Sequence, residues 1–195
     1  LVNLSTKINT IYLGGGTPSQ LSIAQLEQLF IYINKVYSIG EDAEVTMECN
    51  PDDITDDYVQ AISRLPINRV SMGVQTFDDN RLRFLHRRHS SENVYNAVER
   101  LRQAGINNIS IDLMYGFPNQ TVDEWRLDIE KAISLNVEHI SAYSLMFEEG
   151  TPLFKMLESK KIEEADEEHS LEMFNSLIDT LTTAGYEHYE ISNFA

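Results

Sequence analysis

Two acidic residues stand where the chain is otherwise apolar: Glu48 in EVTMECNP and Asp112 in ISIDLMYG. An ionised carboxylate in an apolar strand is costly unless it is paired or used. Each is therefore expected either to accept hydrogen bonds from the hydroxyls or ammonium of a ligand, or to pair within the chain with Arg69 or Arg87. Gln75 closes a third apolar run, RVSMGVQ, with an amide that can donate and accept. Arg87, in LHRRH, carries a fork that suits a carboxylate. The glycines Gly14, Gly15 and Gly16 of YLGGGTPSQ free the backbone for turns whose N–H groups can face an anion, although they also fit a plain tight turn. No lysine follows them and Pro18 removes a donor, so neither the P-loop nor the dinucleotide pattern is met. His86 and His89 read as surface residues rather than ligands.

These groups act together only if the strands that carry them end together. Ile11, Tyr12 and Leu13 read as a buried strand after a lead-in over residues 1–9. Ser22 caps a helix with Leu26, Leu29, Phe30, Ile33 and Val36 on one face, closing near Gly40. A strand over residues 45–49 stops at Asn50-Pro51. Thr55 caps a second helix that turns Tyr58, Val59, Ile62 and Leu65 inward. Residues 69–74 form the third strand, followed by a short helix over 78–86, a break at Arg87-Arg88-His89, and a longer helix over 91–104 that Gly105 stops. A fourth strand runs from Ile109 to Leu113, and Thr121 with Glu124 makes a capping box for a helix burying Trp125, Ile129, Ala132 and Ile133. A fifth strand (140–145), a loop (148–152), a helix with Leu171, Phe174, Leu177, Ile178 and Leu181 on its buried side, and a last strand (186–191) complete the chain. The acidic run Glu163–Glu168 suits the start of that helix and needs no partner. Strands alternating with helices imply βαβ units and a parallel sheet. An open doubly wound sheet and a (β/α) barrel both fit; in a barrel, functional groups gather where strands run into loops.

Composition limits the partners. With 15 basic against 31 acidic residues and a net charge of −16, nucleic acid and anionic membranes are excluded as main partners. The chain suits a single domain spanning residues 1–195, and no apolar run is long enough to span a bilayer. Cys49 is the one cysteine, so an internal disulfide is impossible and a reducing, cytoplasmic setting is expected.

YLGGGTPSQLS, EVTMECNPDDIT, NRVSMGVQTFDD, LHRRH, ISIDLMYGFPNQT and YEISNFA, collinear over most of the chain, resemble the radical S-adenosylmethionine family of oxygen-independent coproporphyrinogen III oxidase. The resemblance implies a partial (β/α)6 TIM-like barrel, S-adenosyl-L-methionine and a [4Fe-4S] cluster. It places Gly15, Gly16, Thr17 and Glu48 against S-adenosylmethionine, and Gln75, Arg87 and Asp112 against a second S-adenosylmethionine or the substrate. Their chemistry suits a zwitterionic nucleoside: N–H groups for a carboxylate, carboxylates for ammonium and ribose hydroxyls, and an amide for another polar edge. The resemblance names no catalytic residue and no metal ligand in this chain.

The family's C-x-x-x-C-x-x-C cluster motif, which lies upstream of the glycine motif, is absent. The chain is thus expected to be the central part of a longer protein, without the first strand and cluster loop, and inactive alone. The oxidase would use the radical from S-adenosylmethionine for oxidative decarboxylation of coproporphyrinogen III. The segments SAYSLMFEEGTPLFKM and YEISNFA look closer to the family's haem-chaperone branch. That branch implies haem or porphyrin as cargo, an electron donor and an apo-haemoprotein acceptor.

Overall fold

Residues 7–195 are described by a computed structural model; of the expected lead-in, residues 1–6 lie outside the described range. The second half of the second strand forms where β-branched and sulfur-containing residues allow burial on both faces, whereas every residue of the first strand, expected to be buried, is half-buried or exposed. Strand β1 is Ile8–Leu13 and β2 is Ile39–Cys49, whose last five residues are buried except for half-buried Glu48. Helix α1, Ile23–Val36, begins at a capping box between Ser22 and Gln25. It ends at Val36, and Gly40 belongs to β2 rather than to a helix stop: a Cβ there would meet the Asn9 side chain at 3.1 Å. Helix α2 is Asp56–Ile62, capped by Thr55, and β3 is Arg69–Gln75. Helices α3, Asp79–Phe84, and α4, Ser91–Gln103, flank the LHRRH break. Strand β4 is Asn108–Tyr115, and α5 is Val122–Ser134 with the expected Thr121–Glu124 capping box. Strand β5, His139–Ser144, precedes α6, Pro152–Glu158, and α7, Glu167–Thr183. Strands β6, His188–Glu190, and β7, Asn193–Phe194, follow.

Among the described residues, seven strands form one sheet in the order β1-β2-β3-β4-β5-β7-β6. The β1–β2 and β2–β3 pairs are parallel, with Leu13 opposite Met47 and Cys49 opposite Met72. The last pairings depart from the expected parallel pattern: β7 runs antiparallel to both β5 and β6. A two-residue strand has no periodicity to read, and the Ile191-Ser192 turn brings it back beside Ile140 and Ser141.

The chain forms two compact units. Among the described residues, one comprises 7–74 and Arg88–Ser110, the other Gln75–Arg87 and Ile111–Ala195. In the first, Leu26, Phe30, Met47, Ile62, Met72, Val94 and Leu101 are buried at 3% exposure or less. In the second, α5 packs on α7: Trp125 is fully buried, and its Nε1–H donates to the Met173 carbonyl at 3.1 Å. Val36 and Leu171, expected inward, are exposed, because they lie at the last residue of α1 and near the start of α7.

Candidate functional site

In the first unit the glycine run is a left-handed loop. Gly15 and Gly16 have φ of +86° and +27°, a region in which a side chain is strained. A Cβ at either would meet nothing within 4 Å, whereas one at Gly14 would strike the Tyr12 ring at 2.7 Å and Glu48 Oε1 at 3.0 Å. Gly14 is thus needed for close approach, and Gly15 and Gly16 for the turn itself. The loop opens onto a depression of about 360 Å³ lined in part by Tyr12, the three glycines, Leu21 and Leu29.

Glu48 is the acid this loop meets. Its Oε2 accepts the Gly15 N–H at 3.1 Å and its Oε1 accepts the Tyr12 hydroxyl at 2.9 Å. Tyr12 is therefore not a buried strand residue as expected; it is 58% exposed, with its hydroxyl holding Glu48. Thr17 follows at the entrance to a short 3-10 turn, Pro18–Gln20. Cys49, next to Glu48, is buried, and burial first, then the negative charge of Asp53 and Glu48, pushes its thiol far above the ordinary range.

In the second unit, Gln75 closes β3 with φ of +72°, unusual for a residue with a side chain. The turn after it is held by Asp128 of α5, whose Oδ2 accepts the Thr76 hydroxyl at 2.6 Å and whose Oδ1 accepts the Phe77 N–H at 3.0 Å. Burial raises the pKa of Asp128, although those two hydrogen bonds oppose the shift. Arg87 is half-buried after α3, its N–H donating to the Leu82 carbonyl at 2.9 Å. Asp112 is half-buried within β4, three residues before the strand ends at Tyr115, so it lies deeper in its strand than expected.

Sequence patterns did not single out several polar anchors. Asp53, Ser19 and Arg88 form a network beside the glycine loop, and Asp128 holds the turn after Gln75. Their partners lie 34, 35 and 52 positions away, out of reach of any local periodicity. His89, expected at the surface, is 4% exposed, with Nε2 3.0 Å from the Val74 carbonyl.

Residues 3–132 match the family model of the radical SAM superfamily. The chain belongs to the radical SAM superfamily. It is 39% identical over 188 residues to the heme chaperone HemW of Lactococcus lactis subsp. lactis, covering 96% of this chain and 50% of the relative. It is 38% identical to HemW of Bacillus subtilis, again over 96% of this chain and 50% of the relative. The chain thus spans about half the length of the curated relatives it matches. Among solved structures, the coproporphyrinogen III oxidase HemN of Escherichia coli, a radical SAM enzyme, superposes with a TM-score of 0.86 at 26% identity. That match covers 97% of this chain and 43% of the oxidase. The radical SAM barrel-type α/β fold expected from the sequence is the fold observed.

Proposed function

We propose that this chain is the S-adenosylmethionine-binding part of a haem-handling radical SAM protein of the HemW type. The observation that carries the reading is the meeting of the glycine loop with Glu48. Gly15 and Gly16 leave open space for a ligand's approach, and Glu48, held there by the Gly15 N–H, stands beside it to accept from an ammonium or ribose hydroxyl. Thr17 is assigned to the same ligand. Gln75, Arg87 and Asp112 are assigned to a second S-adenosylmethionine or to the porphyrin substrate.

When bound and reduced, S-adenosylmethionine supplies the family's radical chemistry; the residues here would hold and orient it. The [4Fe-4S] cluster does not fit this chain's donors, because Cys49 is a single buried thiol and the family's cluster takes three thiolates. In the whole protein, haem is the proposed cargo, passed to an apo-haemoprotein, and an electron donor is the proposed source of the electron for S-adenosylmethionine cleavage. No helix among the described residues is long and apolar enough to cross a membrane, and a cytoplasmic location is part of the proposal.

The likeness to HemN supports a second reading, in which the whole protein decarboxylates coproporphyrinogen III. The two readings separate in the full-length protein rebuilt anaerobically with its cluster. Stoichiometric haem binding and transfer to an apo-acceptor, with coproporphyrinogen III left intact, is the expected result. Conversion of coproporphyrinogen III to protoporphyrinogen IX would replace the chaperone reading with the oxidase one.

A further inference from the structure

Ser19 lies three residues beyond the last loop glycine and is 5% exposed. Its hydroxyl donates to Asp53 Oδ2 at 2.6 Å and accepts the Asn50 N–H at 3.2 Å. Gln20 Nε2 donates to Asp53 Oδ1, which also accepts from Arg88 Nη2 at 3.0 Å. Arg88 Nε reaches Asp52 Oδ2 at 3.3 Å. The Asp53 N–H itself closes a turn on the Asn50 carbonyl at 3.1 Å. One carboxylate, 10% exposed at its side chain, thus collects donors from the exit of the glycine loop and from the segment after α3. Such a charge is tolerated because a guanidinium and two further donors surround it.

Glu48 and Asp53 leave the same strand five residues apart, joined by the turn at Asn50–Asp53. Glu48 grips the loop at Gly15; Asp53 grips it at Ser19 and Gln20. A rigid exit from β2 therefore sets the distance between the loop's N–H groups and the Glu48 carboxylate. We propose that Asp53, with Arg88 as its counter-charge, is a positioning residue for S-adenosylmethionine that fixes the glycine loop against the end of β2. The inference rests on the assignment of Gly15 and Glu48 to that cofactor.

The test uses the full-length, cluster-loaded protein. Three quantities are measured for the parent, Asp53→Asn, Ser19→Ala and Glu48→Ala: S-adenosylmethionine affinity by calorimetry, hydrogen exchange of the amides of residues 14–17 without ligand, and the thermal midpoint. Asp53→Asn is expected to speed loop exchange and to weaken affinity about tenfold, the order felt when an outer partner of a ligand group is lost. Ser19→Ala, which removes one donor and keeps the charge pair, is expected to do the same more weakly, and it carries the test if Asp53→Asn does not fold. If Glu48→Ala weakens binding while Asp53→Asn and Ser19→Ala leave both exchange and affinity at parent values, the inference is overturned. A fall in thermal midpoint alone overturns it too, since that marks a purely structural role. If Glu48→Ala leaves affinity unchanged, the cofactor assignment fails, while faster loop exchange in Asp53→Asn would still support the hold on the loop.

Discussion

Glu48 already accepts two hydrogen bonds, and an ionised carboxylate offers about four lone-pair sites, so a ligand can be received without releasing the loop. Glu48→Ala is expected to lower S-adenosylmethionine affinity in the whole protein by about tenfold or more, the loss that follows removal of a charged acceptor, and calorimetry checks it. Cys49 is expected to resist alkylation at neutral pH until the chain is unfolded, because burial keeps its thiol protonated; iodoacetamide labelling read by mass spectrometry checks this. Asp128 has a folded-state pKa raised above its unfolded value, so the folded state binds the proton more tightly. Its contribution is therefore fully present below the ordinary carboxylate range and is lost as pH rises through the raised value. The urea midpoint of unfolding is expected to fall over that interval in the parent and to change less in Asp128→Asn, because burial opposes the charge while the Thr76 and Phe77 hydrogen bonds only partly offset it. The sequence made Glu48 legible because a carboxylate interrupts an apolar run. Asp53 and Asp128 are not legible in the same way, because each lies among other polar residues or on an ordinary helix surface pattern, and only the fold reveals their distant donors.

At the scale of elements, the helix starts were the most readable feature, since capping is a local contract between residues three apart. Ser22 with Gln25, Ser90 with Asn93 and Thr121 with Glu124 all form reciprocal boxes. The Thr121 N–H bond to Glu124, then Arg81 beside it at 2.7 Å, hold the Glu124 carboxyl below its usual range. Its support is accordingly present above the ordinary glutamate value and is lost as pH falls through the depressed one. Thr121→Ala is expected to cost about 1 kcal/mol, measured by urea unfolding. Trp125→Ala, which empties the fully buried seat between α5 and α7, is expected to cost about 3–5 kcal/mol by the same measurement. Helix α6 is not legible in the sequence: none of its seven residues is buried, so it writes no apolar stripe into the chain. The first half of β2 is illegible for the related reason that Glu41, Asp42 and Glu44 are exposed there and mask the strand period.

For the molecule as a whole, the repeated strand-then-helix order made the α/β class legible, whereas the choice between open sheet and barrel came from the family resemblance and not from periodicity. The chain alone is expected to show no iron–sulfur absorption after anaerobic reconstitution, since its single thiol is buried; a stoichiometric cluster band would overturn that account. The reversal of direction at β7 carries a further consequence. It leaves β6, three residues long, as the outermost strand on that side of the sheet, with Glu190 folded back onto Ser192 and Asn193. So short a row of open backbone groups is a poor template for edge-to-edge growth on that side of the sheet formed by the described residues.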